Sequence, residues 1–250
     1  MRVLLMRFDA PLMSFGDVRV DARGPIRDHP GLGQVTGLLA NALGYDHAEA
    51  DRLTRLQERL RLASRCDRPG ERRQDYQTVD LGQPFMSEGW TTRGTTEGRK
   101  GGTASDGTHI RFRQFHNGRV QTLGITLAPA DESPSLDDLS AALDAPARPL
   151  FLGRKPCLPA GRLNLGIIEA SDLVTALAAA PRWRHRHGCA DAPVLDAWWP
   201  EDPSITAPGD SRVVAVVDER DWRGQVVSGR RLVRVGRVQP VLTGPEVAHA

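Results

Sequence analysis

Hydrophobic and polar positions along the first third of the chain fall into short apolar runs and helical stripes. "RVLLMRF" at 2–8 is a short apolar run and predicts a buried strand. "APLMSFG" at 10–16 turns at Pro11 and Gly16. "VTGLLANALG" at 35–44 sets Val35, Leu38, Leu39 and Leu43 at helical spacing, and Gly44 stops the helix as a left-handed residue. "DHAEADRLTRLQERL" at 46–60 predicts a second helix, with Asp46 as N-cap and Glu49 three positions on, an acidic capping box. Leu53, Leu56 and Leu60 form its apolar stripe, with Arg52, Arg55 and Arg59 on another face. "LRLASRC" at 60–66 reads as a strand that follows directly.

Residues 67–108 break the pattern: they are rich in Gly, Thr and Arg and poor in core formers, which predicts a long arm rather than a packed element. "HIRFRQF" at 109–115 alternates, with Ile110 and Phe112 on one face and Arg111, Arg113 and Phe115 on the other. Its predicted hairpin partner is "VQTLGITLA" at 120–128, across His116-Asn117-Gly118. "SLDDLSAALD" at 135–144 is a helix with Ser135 as N-cap and Asp138 at the third position. "RPLFLGRKPCLP" at 148–159 then supplies the last strand of an α+β, ferredoxin-like (RRM-like) βαββαβ order with an insertion. Further on, Ser171 caps "DLVTALAAA", and 212–217 and 230–241 read as strands. The division expected is a domain over 1–160 and a smaller β-rich region over 161–250.

Charge changes this picture more than composition does. The 250 residues carry a net charge of only +2, but residues 52–119 hold 14 Arg or Lys against 8 acids. A basic segment inside a near-neutral chain points to a polyanion. Three scattered cysteines, Cys66, Cys157 and Cys189, with no CxxC, argue against a zinc site or a disulfide framework, and no cofactor or metal is expected. Neither a signal peptide nor a membrane-spanning run is seen, so the chain reads as cytoplasmic, with no membrane partner.

No catalytic motif stands out. "GRKGGT" at 98–103 has glycines and cations but lacks the preceding strand and the GK[ST] ending of a phosphate loop. Tyr76, His109 and His116 are the candidate acids or bases. The arm is more informative. Trp90, Arg93, Arg99 and Lys100 bring an aromatic ring and cations onto a Gly-rich stretch, which suits a single-stranded RNA: glycines admit phosphates, cations neutralise them and the ring stacks on an unpaired base. Arg111 and Arg113 continue that surface on one face of the returning strand. Arg154 and Lys155, between Gly153 and Pro156, are cations held on a stiff turn.

Four stretches in order over residues 1–160 resemble a known family. "APLMSFG" is similar to its G-P-x-Q-[SA]-W-G, with Phe15 in the usual Trp position, and "GLLANALG" at 37–44 to its first-helix signature. "RQDYQTV" at 73–79 is similar to its R-D-Y-H-T-V, with Gln77 in place of His, and "FLGRKPCLP" at 151–159 to its [YF]-L-G-R-[RK]-x-C-P. The family is the Cas-five family of repeat-associated RNA-binding proteins, in its type I-E branch within CRISPR Cascade.

This resemblance implies a ferredoxin-like domain whose arm, at about 76–112, is a protruding β-hairpin thumb. It implies a non-catalytic subunit that grips the 5′ handle of CRISPR RNA, meets target DNA only indirectly, and contacts the adjacent backbone subunit and the large PAM-reading subunit in antiviral defence. The residues expected at RNA are then Met13, Ser14, Phe15, Arg23, Arg73, Tyr76, Gln77 and His109 with the arm, strand and turn residues above. The alternative is a metal-independent endoribonuclease of the type I-C kind, using Tyr76, His109 or His116, and Lys100.

Overall fold

The computed structural model describes residues 1–19, 22–81, 83–84, 88–90, 95–98, 107–183, 194–206 and 208–241. The fold is built around strand β1 (Arg2–Asp9), whose side chains alternate between two hydrophobic clusters. Leu4, Met6 and Phe8 join one; Val3 and Leu5 join the other. A strand covered on both faces reads as an unbroken apolar run, as "RVLLMRF" does. Helices α1 (Leu32–Ala42), α2 (Ala50–Arg59) and α3 (Leu136–Asp144) supply the first cluster, and α4 (Leu173–Ala179) the second.

Between these layers lies one sheet. It comprises β1, β4 (Leu60–Arg68), β9 (Val120–Leu127), β10 (Asn164–Glu169), β11 (Leu195–Pro200), β12 (Arg212–Asp221) and β13 (Val226–Val238), in the order β10-β1-β9-β4-β11-β13-β12, antiparallel throughout. The protein is therefore an α+β molecule dominated by sheet. The described strands after residue 160 join this same sheet: β10 pairs with β1, and β11 to β13 extend it from β4. A smaller sheet is centred on β8 (Thr108–Asn117), which pairs with β2 (Leu12–Met13), β3 (Arg23–Gly24) and β5 (Glu71–Asp80). β6 (Glu88–Trp90) pairs with β7 (Thr96–Gly98).

Several sequence expectations are corrected. β8 and β9 are not hairpin partners. β9 is buried at every position and lies between β1 and β4, while Gly118, at φ 63°, sends the chain out of the other sheet. β8 instead pairs with β5 in unbroken register from Glu71↔Asn117 to Asp80↔Thr108, so the ribbon is longer at both ends than 76–112. Ile110, on the face predicted to be apolar, is 40% exposed. The 148–159 stretch is a turn rather than a strand, broken by Pro149, Gly153 and Pro156, and the closing strand is β10.

α2 starts at Ala50. Asp46 and Glu49 make the turn before it, the Glu49 carboxylate accepting from the Asp46 N–H at 2.6 Å. Arg59 is fully buried, donating to the carbonyls of Pro129 and Glu132. Asp172, not Ser171, caps α4 by accepting the Thr175 N–H at 2.7 Å. Ser135 and Asp138 do form the capping box of α3.

α1 starts three residues before Val35 because the β12–β13 hairpin packs on its first turn. The Asp218 carboxylate, buried, accepts the Leu32 N–H at 2.9 Å and two bonds from Arg231 at 2.9 and 2.8 Å. It thereby caps a helix that begins 186 residues earlier in the chain. Gly31 and Gly33 permit this approach: a Cβ on Gly33 would lie 3.0 Å from the Asp218 carbonyl oxygen.

Burial alone would raise the Asp218 pKa, but Arg231, the Leu32 N–H and Arg27 outweigh it and hold the carboxyl below its ordinary value. A depressed carboxylate stabilises the fold above its unfolded pKa of about 3.9 and loses that contribution as pH falls through the folded value. Asp218→Asn is expected to lower the melting temperature at pH 7 and to flatten its fall below about pH 4. Melting curves from pH 2.5 to 7 check this; parallel curves for the two proteins would refute it.

Candidate nucleic-acid interface

The β5–β8 ribbon sorts the predicted residues by strand parity. Residues directly opposite in an antiparallel pair share a face. Arg73↔Phe115, Asp75↔Arg113, Gln77↔Arg111 and Val79↔His109 therefore lie on one face, and Gln74↔Gln114, Tyr76↔Phe112 and Thr78↔Ile110 on the other. Arg73, Gln77, His109, Arg111 and Arg113 are brought together. Tyr76 is separated from them: it is 61% exposed and meets Phe112 edge-on, ring centroids 5.6 Å apart.

Arg154 joins the cationic face from the turn after α3. Its guanidinium lies over the Phe115 ring at 4.6 Å and donates to the Gln114 carbonyl at 3.0 Å. The turn is fixed by its own hydrogen bonds, from Cys157 N–H to the Arg154 carbonyl and from Leu152 N–H to the Cys157 carbonyl, both 2.8 Å. It is docked by the Ser14 N–H, which donates to the Leu152 carbonyl at 3.0 Å. Gly153 sits at φ 112°, where a Cβ would be 2.0 Å from the Ser14 carbonyl oxygen. Gly24 of β3 has the matching role on the other side, its missing Cβ leaving room for Arg154 Nη2 at 3.1 Å and Arg113 Nη1 at 3.2 Å.

These guanidiniums repel one another. Arg113 is lowered from its ordinary pKa first by burial, then by Arg19 and Arg111; Arg154 is lowered by burial, then by Arg113. Asp75 stands opposite Arg113 in register, yet among the described residues no carboxylate forms an ion pair with Arg19, Arg111, Arg113 or Arg154. Lys155, exposed beside them, likewise has no partner among the described residues. Cations packed together without counter-charge form a site suited to an external anion.

The same turn walls a cleft of about 800 Å³ between the first turn of α1, residues 14–17, residues 148–155 and the β12–β13 hairpin. Among the described residues two acids line it, and both are engaged, Asp17 with Arg27 and Asp218 with Arg231. Arg148, Arg154, Lys155 and Arg220 also line it, with no acid bound to any of them among the described residues. Arg148 is tied to the Tyr45 and Gly44 carbonyls at 2.7 and 3.1 Å, and Arg220 to Gln225 at 2.7 Å. The cleft is thus a cationic trough with a glycine-rich wall at Gly31, Gly33 and Gly37.

The remaining predicted residues divide. Met13 and Phe15 are corrected: both side chains are fully buried, Phe15 packing against His116 at 5.3 Å and Phe8 at 6.3 Å, so neither is open to a base. Ser14 is buried too and contributes its backbone, the carbonyl accepting from Gln34 at 3.4 Å. Arg23 is exposed on β3, opposite Phe112 in register. Trp90 closes β6, and Arg93, Arg99 and Lys100 lie outside the described residues.

His116 is buried, its Nε2 2.9 Å from the Arg27 carbonyl, and burial pushes its imidazole down to about 4. Sequence reasoning missed Arg19, Arg27, Arg148 and Arg220. Arg148 was legible, since it opens the same basic turn; Arg27 and Arg220 reach the cleft only through packing of the C-terminal hairpin.

The model of the family described as CRISPR-associated protein (Cas_Cas5) matches residues 3–234. A chain from a structure described as a CRISPR RNA-guided surveillance complex is similar at 26% identity and a TM-score of 0.68, covering 98% of this chain and 95% of that one. A second, described as the crystal structure of a Cas protein, is 25% identical with a TM-score of 0.62, over 95% of each chain. No curated protein sequence matches the chain.

Proposed function

The chain belongs to the CRISPR-associated Cas5 family, and from that premise we propose that it is a non-catalytic, RNA-binding subunit of a CRISPR RNA-guided surveillance complex. The observation that carries this reading is the pair Arg111 and Arg113 on one ribbon face, neither ion-paired to a carboxylate among the described residues, continued through Arg154 and Lys155 into the cleft. Such a surface follows a sugar–phosphate backbone. The RNA is the 5′ handle of CRISPR RNA, and the subtype is type I-E, on the strength of the four matching stretches in residues 1–160. Within the complex the chain contacts the adjacent backbone subunit and the large PAM-reading subunit.

The ferredoxin-like reading is supported by the order β10-β1-β9-β4, with α1 and α2 after the first of these strands in the chain and α3 after the third. The thumb reading is supported by the β5–β8 ribbon. The absence of catalysis is supported by the placement of the candidate acids and bases: Tyr76 and His109 stand on opposite ribbon faces, and His116 is buried against a carbonyl. No helix among the described residues is long and apolar enough to cross a membrane.

Incubating the purified chain with repeat-derived RNA in EDTA tests the proposal. Retention of intact RNA, weakening steeply as salt rises, is expected. Site-specific cleavage under those conditions would establish the nuclease instead, and failure to retain RNA at low salt would leave a purely protein-bridging subunit.

A further inference from the structure

We propose that the open half of the β12 edge, with the aliphatic face beside it, docks an extended strand of a neighbouring protein subunit whose flanks carry carboxylates. β12 ends the seven-stranded sheet and pairs only with β13 among the described residues. Its second half is closed off by α1, since Gly33 lies against the Asp218 carbonyl and the Arg220 nitrogen. Both register shifts of the β12–β13 pair also fall beyond Val217. The first half, from Arg212 to Val217, keeps regular register and has neither device; only the Val217 carbonyl at its end is engaged, accepting from Arg27 at 3.1 Å. An edge strand of this kind is a template for another strand unless proline, charge or a bulge blunts it; here Arg212 is the only charge and there is no proline.

The outer face of this half is aliphatic. Ala215 lies opposite Leu232, and Val213 and Val217 flank Ala215 on the same face; Val213 is 43% exposed, Val217 37% and Leu232 51%. The patch holds no aromatic ring to stack on a base and no amide to read one, which favours a protein over RNA as its occupant. Charge sets the occupant's chemistry. Arg234, opposite Val213, is already paired with Glu201, whereas Arg230, opposite Val217 on this face, and Arg212, opposite Val235 on the other face of the edge, have no carboxylate partner among the described residues. A strand adding to this edge satisfies both if acids flank its apolar residues.

The inference rests on reading the chain as a subunit of a larger assembly, but not on where RNA binds. Hydrogen–deuterium exchange tests it in three samples: the chain alone, the chain with repeat-derived RNA, and the complex reconstituted with its other protein subunits. The edge-facing amides of residues 212–217, those not bonded to β13, are expected to exchange fast in the first two and at least tenfold more slowly in the third. Val213→Glu is expected to cut incorporation into the complex at least tenfold while leaving the RNA affinity of the chain unchanged.

Other occupants give other results, and each overturns the proposal. Slow exchange in a monomeric chain alone means the chain's own residues cover the edge. Slow exchange with a dimer on gel filtration means a second copy does, and protection by RNA alone means RNA does. Incorporation into the complex without protection of 212–217 refutes the docking surface but spares the assembly reading. A chain that binds RNA and never assembles removes both.

Discussion

Gly153→Ala is expected to destabilise the protein and to abolish RNA binding together. At φ 112° any side chain is strained, and the added Cβ would stand 2.0 Å from the Ser14 carbonyl oxygen and 2.9 Å from its carbon. Backbone strain of this kind costs on the order of 1–3 kcal/mol, and forcing an extra carbon into a packed contact costs about 1–3 kcal/mol more. In a chain of this size each kcal/mol lowers the melting temperature by about 2–4 °C, so a drop of roughly 5–20 °C follows.

Affinity falls for a separate reason. The turn that carries Arg154 and Lys155 is docked through Ser14, and moving it displaces both cations from the ribbon and the cleft. Gly161→Ala is the control, because a Cβ there meets nothing within 4 Å. Thermal melts and anisotropy titrations on the two variants decide the matter; a Gly153→Ala protein that melts with the wild type refutes the docking argument.

The double substitution Arg154→Gln with Lys155→Gln is expected to flatten the salt dependence of RNA binding by about 1.4 in the slope of log affinity against log salt. This takes each cation as one phosphate contact, at ~0.7 per contact for single strands. Affinity at fixed low salt should fall on the order of a hundredfold, given about 1.5 kcal/mol or more for each hydrogen bond to a charged group. Arg154 also bonds the Gln114 carbonyl and covers Phe115, so the double variant loses some stability. Lys155 makes no hydrogen bond or ion pair with a described group, so Lys155→Gln alone separates binding from folding: it should remove about half of the slope change with no shift in melting temperature. An unchanged slope would mean that these cations face protein or solvent.

The elements that sequence reasoning located are those whose signals are local. β1 announces itself by six consecutive buried positions, and α3 by Ser135 and Asp138, which make their reciprocal bonds as the spacing requires. The basic turn at 148–159 stood out as chemistry before its conformation was known. What sequence reasoning misplaced depends on partners far along the chain. The true mate of β8 is β5, because β9 is apolar throughout and is taken up by the larger sheet. The helical stripe starts at Val35 rather than Leu32 because Gly31 and Gly33 give no helical signal, and their value lies in what packs against them. Phe15 sits beside the site in sequence but points into the core, a side-chain direction that no motif encodes.

The cap that Asp218 places on α1 also has a meaning in time. A chain synthesised from its N-terminus exposes Leu32 long before Asp218 leaves the ribosome, 186 residues later. At about 5–20 residues per second that interval is roughly 10–40 s. The ribbon and the basic turn are complete once residue 159 is made, so over the stretch from there to Asp218, roughly 3–12 s of synthesis, they exist without the wall that closes the cleft. The nascent protein therefore passes through a stage in which its cations are in place but the trough between them is open on one side. Capture of RNA in that trough belongs to the finished chain, and a stop codon between residue 160 and β12 leaves a protein that carries the ribbon and turn cations and lacks the wall of the site.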